Sequence, residues 1–267
     1  MKIIILGSNG MLGQMTSKYF LKKNFEVINH DKYFTHENYN TYVDDINKLD
    51  SSVVINCIGK IKQKSTDPND LLWSNSILPL TLSSKLDEKH LLIHPSTDCV
   101  FNGFKNGFYS LNDKHDALDM YGFSKSIAEN AVSSHGNYII LRVSIIGPDF
   151  NSNSGLLSWF LNLEKDTEVN GYSNHFWNGI TTLEWCKQVE NLISKFGNKK
   201  NNKIIQLGTK NMISKYEMLK LFNRIFDKKI LIKSFETPDQ ITRCLVPEII
   251  SVNLEQQLNE LKLYIGQ

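Results

Sequence analysis

No stretch of this sequence is apolar for long enough to span a bilayer. The N-terminus has neither the basic flank nor the extended hydrophobic run of a secretory signal. A membrane partner is therefore not expected, and a cytoplasmic setting is. Cysteine is sparse: Cys57, Cys99, Cys186 and Cys244 form no Cys-x-x-Cys pair, and the seven histidines do not stand at metal-ligand spacing from them. The expectation is four reduced thiols and no metal. Charge of one sign is missing too, since 30 Lys and Arg against 28 Asp and Glu leave a net charge of +2. That balance argues against a nucleic-acid surface or a strongly basic membrane face. There is no internal repeat. What remains is a 267-residue chain with 41% hydrophobic content, enough to bury a substantial core and take a small-molecule partner.

Five short apolar runs fall within the first 145 residues: Ile3 to Leu6, Phe25 to Ile28, Val53 to Ile55, Leu91 to Ile93 and Tyr138 to Val143. Most are continuous rather than alternating, as expected of parallel strands covered on both faces. Between them Met11 to Lys23, Asn75 to Leu86 and Ser124 to Ser133 read as helices. This alternation predicts an α/β fold, a doubly wound parallel sheet of Rossmann type. Later, the loops Gly147 to Gly155 and Gly171 to Gly179 have the composition of ligand-contacting segments. Ser214 with Glu217 three residues on has capping-box spacing, and Ser251 to Leu263 reads as a final helix. Asn198 to Lys203 reads as a solvated loop.

The first strand runs into Gly7-Ser8-Asn9-Gly10-Met11-Leu12-Gly13, a Gly-x-x-Gly-x-x-Gly turn opening an amphipathic helix. Gly7 permits the tight turn, Gly10 lets the backbone approach a pyrophosphate, and Gly13 lets the helix pack on the sheet. The helix N-terminus, with Asn9, Met11 and Leu12, then offers free N–H groups to phosphates. Asp31 stands 24 residues after Gly7, where an acid would accept from an adenosine ribose and favour NAD; Lys32 beside it would suit a 2′-phosphate. The cofactor is thus NADH or NADPH. Cys57, Ile58 and Gly59 end a buried strand with a tip over which a flat dinucleotide can lie. Lys60, Lys62 and Lys64 follow, either beside a phosphate-bearing substrate or in a solvated loop. Residues 1–147 make the dinucleotide-binding domain of this reading. Residues 148–267 form a smaller, mainly substrate-binding subdomain, from which Ile204–Leu207 can return a strand to the main sheet.

Tyr121 and Lys125 are four apart, hence on one helix face, and Ser96-Thr97-Asp98 ends a strand that emerges at the same sheet edge. With these residues the sequence resembles the extended short-chain dehydrogenase/reductase superfamily, most closely the dTDP-4-dehydrorhamnose reductase-like sugar-nucleotide reductases. The resemblance covers nearly the whole chain. It rests on the glycine turn, Asn56-Cys57-Ile58-Gly59, Asn75, Ser96-Thr97-Asp98-Cys99-Val100-Phe101-Asn102-Gly103, Tyr121-Gly122-Phe123-Ser124-Lys125 and Leu141-Arg142-Val143-Ser144-Ile145-Ile146-Gly147.

The resemblance implies a catalytic triad of Thr97, Tyr121 and Lys125. Tyr121 would protonate a carbonyl oxygen as hydride arrives, Lys125 would stabilise the phenolate and bind the cofactor ribose, and Thr97 would hydrogen-bond the same oxygen. Asn75 would join the cofactor site. Moving a phenol about three units toward neutrality requires roughly 4 kcal/mol, which one cation ~4 Å away supplies at an effective dielectric of about 20. Asp98, Cys99, Ile145 and Trp177 would border the substrate, a nucleotide sugar. Cys99 replaces a more usual tyrosine and Ile145 a common tryptophan, which puts the identity of the hexose in question. Reduction of the 4-keto group of a nucleotide-linked 6-deoxysugar for surface polysaccharide is the activity implied. An epimerase on the same scaffold, or a non-catalytic subunit like the regulatory subunit of methionine adenosyltransferase, is the alternative; Asp98-Cys99 is not the Asp-Glu pair of a 4,6-dehydratase. A homodimer is left open.

Overall fold

The computed structural model describes residues 1–152, 155–197 and 199–266. Five strands, β1 (Lys2–Leu6), β2 (Glu26–His30), β3 (Ser52–Asn56), β4 (Leu91–Ser96) and β5 (Tyr138–Arg142), alternate with helices. These are α1 (Met11–Lys22), the short α2 (Asp44–Asn47), α3 (Pro68–Leu72), α4 (Leu78–Lys85) and α5 (Met120–Val132). A single π turn, Trp73–Ile77, joins α3 to α4 without a break. The chain then makes β6 (Ile145–Ile146), α6 (Leu156–Leu161), β7 (Glu168–Tyr172), β8 (His175–Trp177), β9 (Ile180–Thr181) and α7 (Thr182–Phe196). It ends with β10 (Asn202–Thr209), β11 (Ile213–Ser214), α8 (Lys215–Ile225), β12 (Leu231–Phe235), β13 (Ile241–Thr242), β14 (Ile249–Ser251) and α9 (Leu254–Ile265). No helix among the described residues is long and apolar enough to cross a membrane.

Seven strands form one parallel sheet in the order β14-β10-β5-β4-β3-β1-β2. Because side chains alternate across a strand, Ile3, Ile5, Val53, Ile55 and Ile93 enter one core and Ile4, Leu6, Val54, Leu92 and Ile140 the other. The first core also contains Met15 and Phe20 of α1, Trp185 and Val189 of α7, and Leu258 of α9. Chain beyond residue 147 therefore contributes two strands and two helices to the main body, Ile204–Leu207 pairing with β5 through β10. The remainder, including the parallel pair β7–β12 and the small sheet β11-β8-β13, forms a lobe beside the carboxyl ends of the strands.

Several boundaries differ from the sequence expectation for local reasons. The helix expected at Asn75 starts at Pro68, where Asp67 accepts from Asn69 N–H and the proline occupies a first-turn position that needs no N–H. The helix expected from Ser124 starts at Met120, capped by Asp119, whose side chain accepts from Gly122 N–H at 2.8 Å. Tyr121 thus sits in its first turn. The last helix starts at Leu254 under an Asn253 cap, and the capping box at Ser214 and Glu217 is formed. Asn198 lies outside the described residues, but the rest of Asn198 to Lys203 is not simply solvated. Asn201 is buried, its Nδ2 donating to Phe196 O, and Asn202 and Lys203 already belong to β10.

Two contacts set where α5 lies. Glu129 accepts from Arg142 Nε at 2.9 Å and Nη2 at 2.7 Å, and from the Ser96 hydroxyl. Arg142 Nη1 also donates to Gln206 Oε1 at 3.0 Å, so the network joins α5 to β4, β5 and β10. Near the other end, a methyl added at Gly122 would overlap the carbonyl oxygen of Cys99. No side chain larger than hydrogen lets the helix approach the β4 tip so closely. Arg142→Ala, which leaves the Glu129 carboxylate buried without its cation, should cost about 3–5 kcal/mol of unfolding free energy by urea denaturation. Gly122→Ala should cost about 1–3 kcal/mol in the same measurement. A loss below ~0.5 kcal/mol in either would remove that contact from the account.

Candidate active site

From β1 the chain steps to β2 on one side, whereas β3 returns to the other and leads on to β4. The carboxyl ends of β1 and β3 therefore face a topological switch point, where open α/β sheets bind ligands. Two adjoining cavities lie there, of about 470 and 300 Å³. Both are lined by Gly10, Cys57, Ile58, Gly59 and Lys60, so they form one groove crossing the two strand tips.

The larger cavity holds the nucleotide-end residues. Gly7 has φ +74°, and a side chain at Gly13 would overlap the Gly7 carbonyl, so both serve the packing of the turn. A Cβ at Gly10 would meet only Gly7 O, at 3.6 Å, and otherwise face open groove. No side chain caps α1, which leaves its first N–H groups for an anion. Asn9 lines the same cavity, while Met11 and Leu12 line the smaller one. Asp31, beside them, accepts from the Ser8 hydroxyl at 2.7 Å and keeps a second carboxylate oxygen for a ribose. Trp73 and Phe34, stacked at 4.9 Å, form an aromatic wall beyond it, and His30 Nδ1 in this wall is buried with no partner in the protein. A cradle that a side chain would fill, an uncapped helix and an unused carboxylate oxygen fit a dinucleotide. Asn75 lines the smaller cavity, and its amide brackets Lys60, accepting from the N–H and donating to the carbonyl, both at 2.8 Å, while also donating to Ser124 Oγ at 3.1 Å. It shapes the floor of the groove and ties it to α5.

Thr97, Tyr121 and Lys125 all line the smaller cavity, with Asp98, Cys99 and Ile145. Thr97 Oγ1 donates to Asp98 Oδ1 at 3.0 Å and accepts from Cys99 N–H at 3.1 Å, holding the turn after β4. Lys125 is 6% exposed and donates to Pro95 O at 2.7 Å. Burial lowers its proton affinity to about 8, against a smaller opposing pull from Glu129. Burial also raises the Tyr121 phenol above its ordinary value; Cys99 and Asp98 add to this and the Thr97 hydroxyl opposes it. The depression expected from the lysine charge is not seen: burial dominates, and Lys125 is not among the groups that shift the phenol. Burial pushes the Cys99 thiol up to about 12, so this wall is a neutral thiol.

Trp177 does not border the cavity. It is 4% exposed in the main core, and its indole N–H donates to Ser144 Oγ at 2.8 Å. Contrary to what the resemblance implied, the indole therefore does not border the substrate cavity. Lys60, Lys62 and Lys64 are each paired, with Asp70, Asp119 and Asp149 respectively. Lys64 and Asp149, 3.0 Å apart, both line the cavity and link the loop after β3 to the loop after β6. Sequence reasoning missed Asp149, Gly122 and the buried His94, which lies 3.4 Å from Lys125 Nζ. Gly122 and His94 had visible signals, one between the tyrosine and the lysine, the other two residues before Ser96.

The family profile described as the RmlD substrate binding domain matches residues 1–170. A curated relative, the probable low-salt glycan biosynthesis reductase Agl14 of Haloferax volcanii, is 27% identical over 161 residues, 55% of this chain. This chain spans about half (54%) of that relative's length. Among solved structures, a dTDP-4-dehydrorhamnose reductase from Clostridium acetobutylicum superposes with a TM-score of 0.82 at 21% identity, covering 100% of both chains. The Bacillus anthracis dTDP-4-dehydrorhamnose reductase, solved in complex with NADP, gives 0.83 at 17% identity, covering 100% of this chain and 99% of that one. These two likenesses show a shared fold. With the profile matched over more than half its length, the chain belongs to the RmlD substrate binding domain family.

Proposed function

We propose that the protein is an NAD(P)H-dependent reductase of the 4-keto group of a nucleotide-linked 6-deoxysugar, serving polysaccharide precursor synthesis. The observation that carries this reading is the single groove in which Thr97, Tyr121 and Lys125 stand at one end and the glycine turn with Asp31 at the other. The reductase names carried by the three relatives, and the NADP bound to one of them, support the same class of chemistry and cofactor.

The groove from the glycine turn to Lys125 would hold a reduced nicotinamide cofactor, which would supply a hydride for the carbonyl carbon. Tyr121 gives its phenolic proton to the carbonyl oxygen. Thr97, whose hydroxyl donates to Asp98, turns it toward that oxygen to share the developing charge. Lys125 stabilises the phenolate that remains. Cys99 and Ile145 leave a smaller and less aromatic wall beside the sugar than tyrosine and tryptophan would, and select the hexose by that shape. Lys64 with Asp149 spans one side of the same cavity.

Tyr121→Phe removes the proton donor and keeps the ring. It should lower keto-sugar-dependent NAD(P)H oxidation by about 10²–10⁴-fold, with cofactor affinity nearly unchanged. The assay follows absorbance at 340 nm over a panel of nucleotide 4-keto-6-deoxysugars, and full activity in the variant would remove Tyr121 from the reaction. Asp31→Ala should weaken NADH binding by roughly tenfold or more, and NADPH binding less, because only the free ribose hydroxyl needs the carboxylate. Equal losses for the two cofactors, by fluorescence titration, would sink the ribose assignment.

A further inference from the structure

His94 has no part in the reaction just described, yet it is fully buried and both ring nitrogens face polar partners. Nδ1 lies 3.2 Å from Asn56 Nδ2, and Nε2 lies 3.4 Å from Lys125 Nζ. The Asn56 amide is oriented independently, because its Oδ1 accepts from Ile58 N–H at 3.1 Å, so its NH2 group faces the imidazole. Nδ1 must then accept, and a neutral ring carries its proton on Nε2. Burial, reinforced by the Lys125 charge, keeps the ring neutral. A ring N–H therefore faces Nζ, which itself donates to Pro95 O.

We propose that Asn56 and His94 are a positioning pair that stabilises the neutral amine of Lys125 by presenting the ring N–H to its lone pair. An ammonium has no lone pair and cannot accept this bond. The neutral amine arises when Lys125 passes a proton to the Tyr121 phenolate: an N–H bond of the lysine breaks, the O–H bond of the tyrosine forms, and a solvent proton later restores the ammonium. This use in turnover rests on the reductase reading; the tautomer of His94 does not. Other groups around Lys125 are accounted for. Glu129, on the same helix, favours the ammonium, Tyr121 shares the cavity, the turn after β4 brings Asp98, and the π turn brings only the neutral Asn75 and Ser76.

The tautomer can be read in ¹⁵N-labelled protein by long-range ¹H–¹⁵N correlation, without substrate. The wild type should carry the His94 proton on Nε2, and Asn56→Asp, whose carboxylate only accepts, should move it to Nδ1. Lys125 is titrated through the pH dependence of its acylation, read by mass spectrometry. Its midpoint should lie near pH 8 in the wild type and about one unit or more higher in Asn56→Asp, where Nε2 can accept from the ammonium. The rise should disappear in Asn56→Asp/His94→Phe, since a through-space effect of the new carboxylate would persist there. A wild-type ring protonated at Nδ1, or a rise retained in the double variant, overturns the proposal. If Asn56→Asp does not fold, the wild-type spectrum alone decides. A protein that shows the tautomer switch but reduces no keto sugar counts against the reductase reading and leaves the pair standing.

Discussion

The Glu129 carboxylate rides on α5 and is held from two strands at once, by Ser96 on β4 and Arg142 on β5. Lys125 lies about one turn before it and Tyr121 about two, so fixing Glu129 fixes the rotation of the face that carries both. A slip of one residue would turn that face by about 100° and carry the phenol out of the cavity. Buried ion pairs contribute little net stability compared with well-packed apolar residues. The contribution here is orientation: three elements that could pack in several registers are left with one arrangement that satisfies both charges. Gln206 extends the constraint to β10 and, by donating to Tyr109 O and Val246 O, to the loops beside the lobe.

Rotation alone would leave the helix too far from the strand tip. The close approach at Gly122 brings α5 against the turn that carries Thr97, and the Thr97 hydroxyl braces that turn by accepting from Cys99 N–H. Asn75 completes the join from the other direction, reaching from the π turn to Ser124 and to the backbone of Lys60. The extra residue of a π turn shifts side-chain directions relative to an α-helix, and such turns recur at functional sites. The loop floor and α5 are thereby joined through one amide.

The sheet was legible because parallel strands buried on both faces have continuous apolar runs, and the glycine turn because its three glycines answer separate geometric needs. Thr97, Tyr121 and Lys125 could be grouped because strand order brings their elements to one edge. Trp177 was not legible in the same way. An indole flanked by His175, Phe176 and Asn178 looks alike whether it faces a cleft or a core, and only its tertiary packing in the core and its bond to Ser144 decide. Helix starts depended on Asp67 and Asp119, caps whose role is defined by backbone geometry rather than by periodicity. The division at residue 147 blurs for a related reason: β10 and β14 are short apolar runs separated from the first five by a lobe, and their partners are far away in sequence.

The opposite shifts of Tyr121 and Lys125 have one origin. Burial disfavours an isolated charge of either sign, so it raises the acid and lowers the base, and each group alone favours its neutral form. Proton transfer from Tyr121 to a carbonyl oxygen would therefore be costly if it left a lone phenolate. Beside an ammonium the same phenolate is half of a pair in a poorly solvated site, where Coulomb attraction is strong. Return of a proton from Lys125 would then restore two neutral groups. On the proposed reductase reading, the burial that makes tyrosine a reluctant acid in isolation would also draw the proton back once a carbonyl had been reduced. On that reading the lysine would act as the second carrier of one proton rather than as a fixed charge that tunes a phenol.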